Sequence, residues 1–327
     1  MIVLSLFDGI GCGQVALQRA GIRVDQYFAS EIDKYAIKVT LKTFPNTVEV
    51  GDITKLSYSN DVLTSEIGKI HIGQIGLVMG GSPCQGFSFA GRGLNFSDPR
   101  SQLFFEFVRL LREVNPKYFL LENVRMKKEF QDVISKELGV EPIMINSALV
   151  SAQNWVRLYW TNIQGITQPE DRHSYLRDII ESGDVNRDKA YCIDANYFKG
   201  GNLKSYFEKA RKQLVIEKSQ QSSKRLMVRC VQVGEADLKG NDSIKRVYSI
   251  NGKSPTLTTM GGGHREPKIS EDNITWRKLT PLECERLQTL PDGYTEGISN
   301  TQRYKALGNG WTVDVIAHIL SFIPKGV

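Results

Sequence analysis

No two cysteines in this sequence stand at CxxC spacing: Cys12, Cys84, Cys192, Cys230 and Cys284 are scattered, and the four histidines lie far apart. That excludes a disulfide framework and a zinc site as the organising device, so no metal is expected. No apolar run approaches the roughly eighteen residues of a membrane span. The N-terminal MIVLSLFDGI also lacks the basic region and long apolar core of a signal peptide. The expected compartment is therefore the cytoplasm, with no membrane partner.

What is present is enough apolar residue to build a core. With 327 residues, 41% hydrophobic and 24% charged, the chain is expected to divide into one large and one smaller domain. Its first half alternates short apolar runs with amphipathic ones. MIVLSLF reads as a strand, GQVALQRAG as a helix closed by Gly21, DQYFAS as a second strand, and DKYAIKVTLKTF as a helix stopped by Pro45. VEVGD, QIGLVMGG, KYFLLENV and PIMINSALV continue the series. Such alternation predicts an α/β fold with a doubly wound, mostly parallel sheet, whose ligands bind beyond the carboxyl ends of the strands.

The loops after those strands carry the chemistry. In FDGIGCG, residues 7 to 13, Gly9, Gly11 and Gly13 permit a tight turn against a ligand at a helix N-terminus. The spacing is GxGxG and not the GxGxxG that cradles a pyrophosphate. Glu31 follows the second strand, where a carboxylate accepts ribose hydroxyls, and Asp52 follows the third, within reach of an adenine amine. An adenosine without a pyrophosphate fits this trio, which favours S-adenosylmethionine over a bare Gly-rich turn. Cys84 follows QIGLVMGG in GGSPCQGFSFAGRG, a stretch too rich in glycine for helix or strand. Glu122 ends the apolar KYFLLENV, where burial raises a carboxyl pKa and favours the protonated acid. A lone loop cysteine is more often inert; a cysteine and a glutamate at the ends of adjacent strands facing an adenosine site form a catalytic constellation.

Taken in order, these segments resemble the DNA cytosine-5 methyltransferases. FDGIGCG resembles the family's first cofactor motif, GGSPCQ its nucleophile loop, ENV its acid motif, and QNWVR at 153 to 157 its QxRxR motif. RKLTPLECERLQ and YKALGNGWTVDV look like its last two motifs. Some phrases are similar to the restriction-modification enzymes of bacteria and phages, others to de novo-type members. The resemblance implies a class I S-adenosylmethionine-dependent fold and methyl transfer to carbon 5 of a flipped-out cytosine in duplex DNA. Cys84 would attack carbon 6, Glu122 would protonate or hydrogen-bond N3, and Arg157 would hold O2. For the cofactor, which leaves as S-adenosylhomocysteine, the implied residues are Phe7, Asp8, Gly9, Gly11, Glu31, Ile32, Asp52, Ile53, Asn309, Trp311 and Thr312. For DNA they are Gln85, Ser88, Arg92, Arg100 and Thr256. The loop from 85 to 100 would open for the base and close on it.

One position departs from the family pattern: Trp155 stands where QxRxR has its first arginine, so a phosphate or base-positioning contact is missing or supplied elsewhere. The expected organisation is a catalytic domain over 1–165, a target recognition domain over 166–275 and a return to the catalytic domain over 276–327. PTLTTMGGG, at 255 to 263, resembles the end of such a recognition domain. Ten lysines and arginines against three carboxylates between 189 and 230 suit a phosphate-binding face. Thr280 and Glu283, with Pro281 between them, predict a capping box. A monomer acting on double-stranded DNA is expected, in a prokaryotic cell or phage-infected host, with a restriction endonuclease as a possible counterpart and not a stable partner. The alternatives fit less well. A tRNA methyltransferase of the same type has a shorter recognition region and a CFT tripeptide absent here; a dead homologue would lose Cys84 or Glu122; a zinc deaminase lacks its second cysteine.

Overall fold

The structure is a computed structural model that describes residues 1–83, 99–199, 206, 212–218, 232–235, 246–249, 268–270 and 274–324. The strands of its larger sheet are β1 (Ile2–Leu6), β2 (Gln26–Ser30) and β3 (Val48–Glu49), then, after a meander of β4 (Ser57–Ser59), β5 (Val62–Ser65) and β6 (Gly68–His71), β7 (Leu77–Gly80), β8 (Tyr118–Val124), β9 (Ile143–Asn146) and β10 (Val156–Thr161). Seven of them form one sheet in the order β3-β2-β1-β7-β8-β10-β9. β3, β2, β1, β7 and β8 run parallel, and β10 is antiparallel to both of its neighbours. The order reverses at β1, so the strand ends around β1 and β7 form the switch point where such sheets bind ligands.

The helices follow from local signals. α1 (Cys12–Ala20) is capped by Gly11 and Gly21, both left-handed, at φ 73° and 70°. α2 (Lys34–Thr43) begins on Asp33, whose side chain accepts from the Tyr35 amide. α3 (Pro99–Val114) brings Phe104 and Phe107 fully into the core with Leu4, Leu6, Val78, Leu121 and Trp160. α4 (Lys128–Leu138) and the short α5 (Leu176–Ile179) precede the smaller unit, and α6 (Pro281–Leu287), α7 (Asn300–Asn309) and α8 (Val313–Leu320) follow it. The Thr280 capping box is complete: its hydroxyl accepts from the Glu283 amide while Glu283 accepts from the Thr280 amide.

β1 and β7 approach so closely that a Cβ on Gly80 would meet the Leu6 carbonyl at 2.5 Å. Only glycine fits the end of QIGLVMGG, and the chain turns there into the segment that leads to Cys84.

By packing, the chain divides into two units. The larger comprises 1–179, 187–213 and 279–327; the smaller comprises 180–186 and 214–278. In the smaller unit β11 (Leu214–Lys218) pairs antiparallel with β15 (Ile274–Lys278). β12 (Gln232–Glu235), β13 (Arg246–Ser249) and β14 (Lys268–Ser270) form a second sheet.

Candidate active site

At the carboxyl ends of the large sheet lies a cleft of about 400 Å³, within the size range of small-ligand sites. Phe7 and Gly9 follow β1 into it, Glu31 and Ile32 follow β2, and Asp52 and Ile53 follow β3. Gly81, Ser82 and Pro83 follow β7, Glu122 to Val124 end β8, Trp155 and Arg157 come from the start of β10, and Lys305 and Asn309 from α7. One half of the cleft thus holds the expected adenosine residues and the other the expected base-directed ones.

The half expected to take the adenosine is cross-linked by hydrogen bonds. Glu31 accepts the amides of Gly9, Ile32 and Asp33, each at 2.8 Å, and so ties the glycine loop to the start of α2. Asp52 spends one oxygen on the Thr54 amide at 2.9 Å. Ile32 is 76% exposed, an apolar side chain on the cleft wall. A carboxylate after β2, a second after β3 and an uncovered isoleucine fit an adenosine: two acceptors for its hydroxyls and amine, one flat apolar contact for its base. Lys305 pairs with Asp33 at 2.7 Å at the rim.

In the other half, Arg157 Nε meets Glu122 Oε1 at 2.8 Å, the side chains being 17% and 14% exposed. Trp311 Nε1 donates to Glu122 Oε2 at 3.2 Å. Burial raises the Glu122 carboxyl above its ordinary value, while Arg157 and then the Trp311 hydrogen bond draw it back. Arg157 also lies beside Cys192, whose thiol is pushed up by desolvation and drawn down by the guanidinium. Nothing in the sequence connects Cys192 with that arginine, because the segment around it carries no motif.

Other motif residues support this pair from behind. Asn123, buried between Glu122 and Val124, donates to the Ser82 hydroxyl at 3.2 Å and so joins the ENV strand to the SPC segment. Gln153 is fully buried and donates to the Leu287 carbonyl and to Gln288, holding β10's entry against α6. Asp8 accepts from the Tyr27 hydroxyl at 2.5 Å, and burial lifts its carboxyl to about 6. Gly11 caps α1, and the Thr312 hydroxyl bonds Ser147 and Gln288. None of these three forms part of the cleft wall among the described residues. Burial pushes the Cys12 thiol up to about 12 and leaves it inert. Cys84, Gln85, Ser88, Arg92 and Thr256 lie outside the described residues, as does the Arg100 side chain in the first turn of α3. Among the described residues no helix is long and apolar enough to cross a membrane, and no group of acidic, histidine or cysteine side chains is placed to hold a metal.

The sequence pattern of C-5 cytosine-specific DNA methylases matches residues 1–325. This chain belongs to that family. The orphan methyltransferase M.SPBetaI of Bacillus phage SPbeta is 29% identical, over 97% of this chain and 96% of that protein. The type II methyltransferase M.HhaI of Haemophilus parahaemolyticus is 27% identical, over 97% and 92%. Among solved structures, the S. pombe Dnmt2 methyltransferase superposes with a TM-score of 0.59 at 17% identity, covering 98% of this chain and 97% of that one, which is a likeness of fold. The fold is that of the class I S-adenosylmethionine-dependent methyltransferases, and the enzyme class is C-5 cytosine-specific DNA methyltransferase.

Proposed function

We propose that this methyltransferase transfers a methyl group from S-adenosylmethionine to carbon 5 of a cytosine flipped out of a specific duplex DNA sequence, through a covalent bond from Cys84 to carbon 6. The observation that carries the reading is the Glu122–Arg157 pair at 2.8 Å, in one cleft with Glu31 and Asp52 and with Pro83, the residue before Cys84.

Carbon 5 of cytosine is unreactive until carbon 6 is attacked. The Cys84 thiolate forms the C6–S bond, and the displaced electrons move toward N3 and O2. Glu122, whose carboxyl burial raises above its ordinary value, gives N3 a proton, and Arg157 donates to O2. At an unperturbed pKa only about 3% of the thiol is ionised at neutral pH, so proton loss accompanies attack or the loop lowers the pKa. S-adenosylmethionine, when bound, supplies an electrophilic methyl group. After carbon 5 is methylated its proton passes to water, the C6–S bond breaks, Cys84 leaves as thiolate and N3 returns its proton to Glu122. Glu31 and Asp52 hold the adenosine; residues 166–275 choose the target, and the enzyme works as a monomer in the cytoplasm.

Duplex DNA containing 5-fluorocytosine tests the covalent step, because fluorine at carbon 5 blocks the proton loss that releases the enzyme. The wild type is expected to form a denaturant-stable adduct, and Cys84→Ala neither adduct nor methylated DNA. Methylation by Cys84→Ala overturns the nucleophile; labelled methyl groups in tRNA but not in DNA overturn the substrate. Bisulfite sequencing of DNA from expressing cells then reads the recognised sequence.

A further inference from the structure

Trp155 is where the sequence leaves the family's pattern, and its surroundings say what the indole does there. The ring is 4% exposed, which removes it from any phosphate. The Trp155 amide donates to Asn146 Oδ1 at 3.1 Å and its carbonyl accepts from the Ser147 amide at 3.0 Å, so the entry to β10 is fixed. Two residues on, the Arg157 guanidinium carbon lies 4.3 Å from the Trp155 ring centroid, inside the range of a cation–π contact. The same guanidinium reaches Glu122 through Nε and the Val156 carbonyl through Nη1 at 3.0 Å.

We propose that Trp155 is a positioning residue for the methyl-transfer chemistry: its indole face holds the Arg157 guanidinium in the plane that engages Glu122 and presents its remaining N–H groups to the pyrimidine. It acts through Arg157, and the role rests on Glu122 and Arg157 being the base-directed pair. Arginine has four side-chain torsions and a planar fork, so a face to lie on decides where its donors point. An arginine at 155 would instead bring a second cation beside Glu122, in addition to Arg157, and favour the ionised carboxylate. Among the described residues the tryptophan leaves one cation, Arg157, paired with that carboxylate.

The test compares Trp155→Phe, Trp155→Leu, Trp155→Arg, Arg157→Ala and the double variant Trp155→Leu/Arg157→Ala, by single-turnover methyl transfer to duplex DNA and by calorimetry with S-adenosylmethionine. Phenylalanine keeps an aromatic face and should stay within about threefold of wild type, whereas leucine keeps bulk without a face and should lose about tenfold, a loss between those of exposed and fully desolvated cation–π contacts. Cofactor affinity should be unchanged in both. In the Arg157→Ala background the leucine substitution should cost nothing further. Trp155→Arg should move the alkaline limb of the rate profile to lower pH. Equal losses in the phenylalanine and leucine variants, or losses that multiply in the double variant, overturn the positioning role while leaving the Glu122–Arg157 pair intact. A full rate in Arg157→Ala overturns the pair and this proposal with it. Should thermal melts show the leucine variant unfolded, Trp155→Met serves in its place with the same expectations.

Discussion

Trp311 donates its indole N–H to Glu122 at 3.2 Å, so the carboxylate that faces the cleft is held from a segment after the end of α7. A hydrogen bond to the charged form of a carboxyl favours ionisation. Removing it in Trp311→Phe therefore raises the Glu122 carboxyl further. If the protonated acid is the active form, the alkaline limb of the turnover profile moves to higher pH. The freed side chain should also lower the rate at neutral pH by about tenfold, the equivalent of one charge-assisted hydrogen bond. An unchanged profile would mean that this bond does not govern Glu122.

Gly81 makes room for that bond. A Cβ there would lie 2.9 Å from Trp311 Nε1 and 3.0 Å from Glu122 Oε2. Gly81→Ala should thus reproduce the Trp311→Phe rate loss at a stability cost of about 1–3 kcal/mol, the usual penalty for overpacking. Stopped-flow rates and chemical denaturation of the same preparation separate the two effects. A lower stability with a normal rate would show that Trp311 and Glu122 shift together without losing contact.

Glu49, on β3, has neither carboxylate oxygen hydrogen-bonded among the described residues. Burial, with Asp8 and Glu31 nearby, raises its carboxyl from 4.5 to about 8. A carboxyl raised on folding makes the native state bind the extra proton, so its stabilising contribution is complete below about pH 4.5 and is lost as pH rises toward 8. Glu49→Gln keeps the shape and removes the titration. The variant should melt at nearly the wild-type temperature at pH 5 and several degrees above it at pH 8.5, a shift of the size that about 1–2 kcal/mol produces in a chain this long. Equal melting temperatures at both values would mean that Glu49 reaches water in the native state.

The alternation of apolar runs and amphipathic helices in residues 1–150 made the parallel sheet legible, because each element signals itself: Gly21 and Pro45 near helix ends, Glu31 and Asp52 just past strands. The capping box at Thr280 was readable for the same reason, being a local device. Long-range relationships were not. Gln153 reads as part of a motif, yet it is a core anchor for α6 across more than 130 residues. Glu31 reads as a ribose acceptor, and only the fold reveals that three amides already use it. Trp155 reads as a missing arginine until Arg157 is found lying on its ring.

Those three amides sharpen the cofactor prediction. Glu31 Oε1 accepts two of them and Oε2 one, so a ribose hydroxyl would complete the four acceptor sites of the carboxylate. Glu31→Gln leaves one carbonyl oxygen and turns the other position into a donor facing an amide. Cofactor affinity should fall by about 1–3 kcal/mol, the cost of leaving buried polar groups unpaired. A fall of that size also follows if the substitution only loosens the glycine loop, so affinity for S-adenosylhomocysteine should be compared with that for its 2′-deoxy and 3′-deoxy analogues. The wild type should bind at least one deoxy analogue more weakly than the parent compound, and Glu31→Gln should bind that analogue and the parent alike, because the acceptor that distinguished them is gone. If the variant still discriminates as strongly as the wild type, Glu31 is a brace for the loop and the ribose is held by other groups.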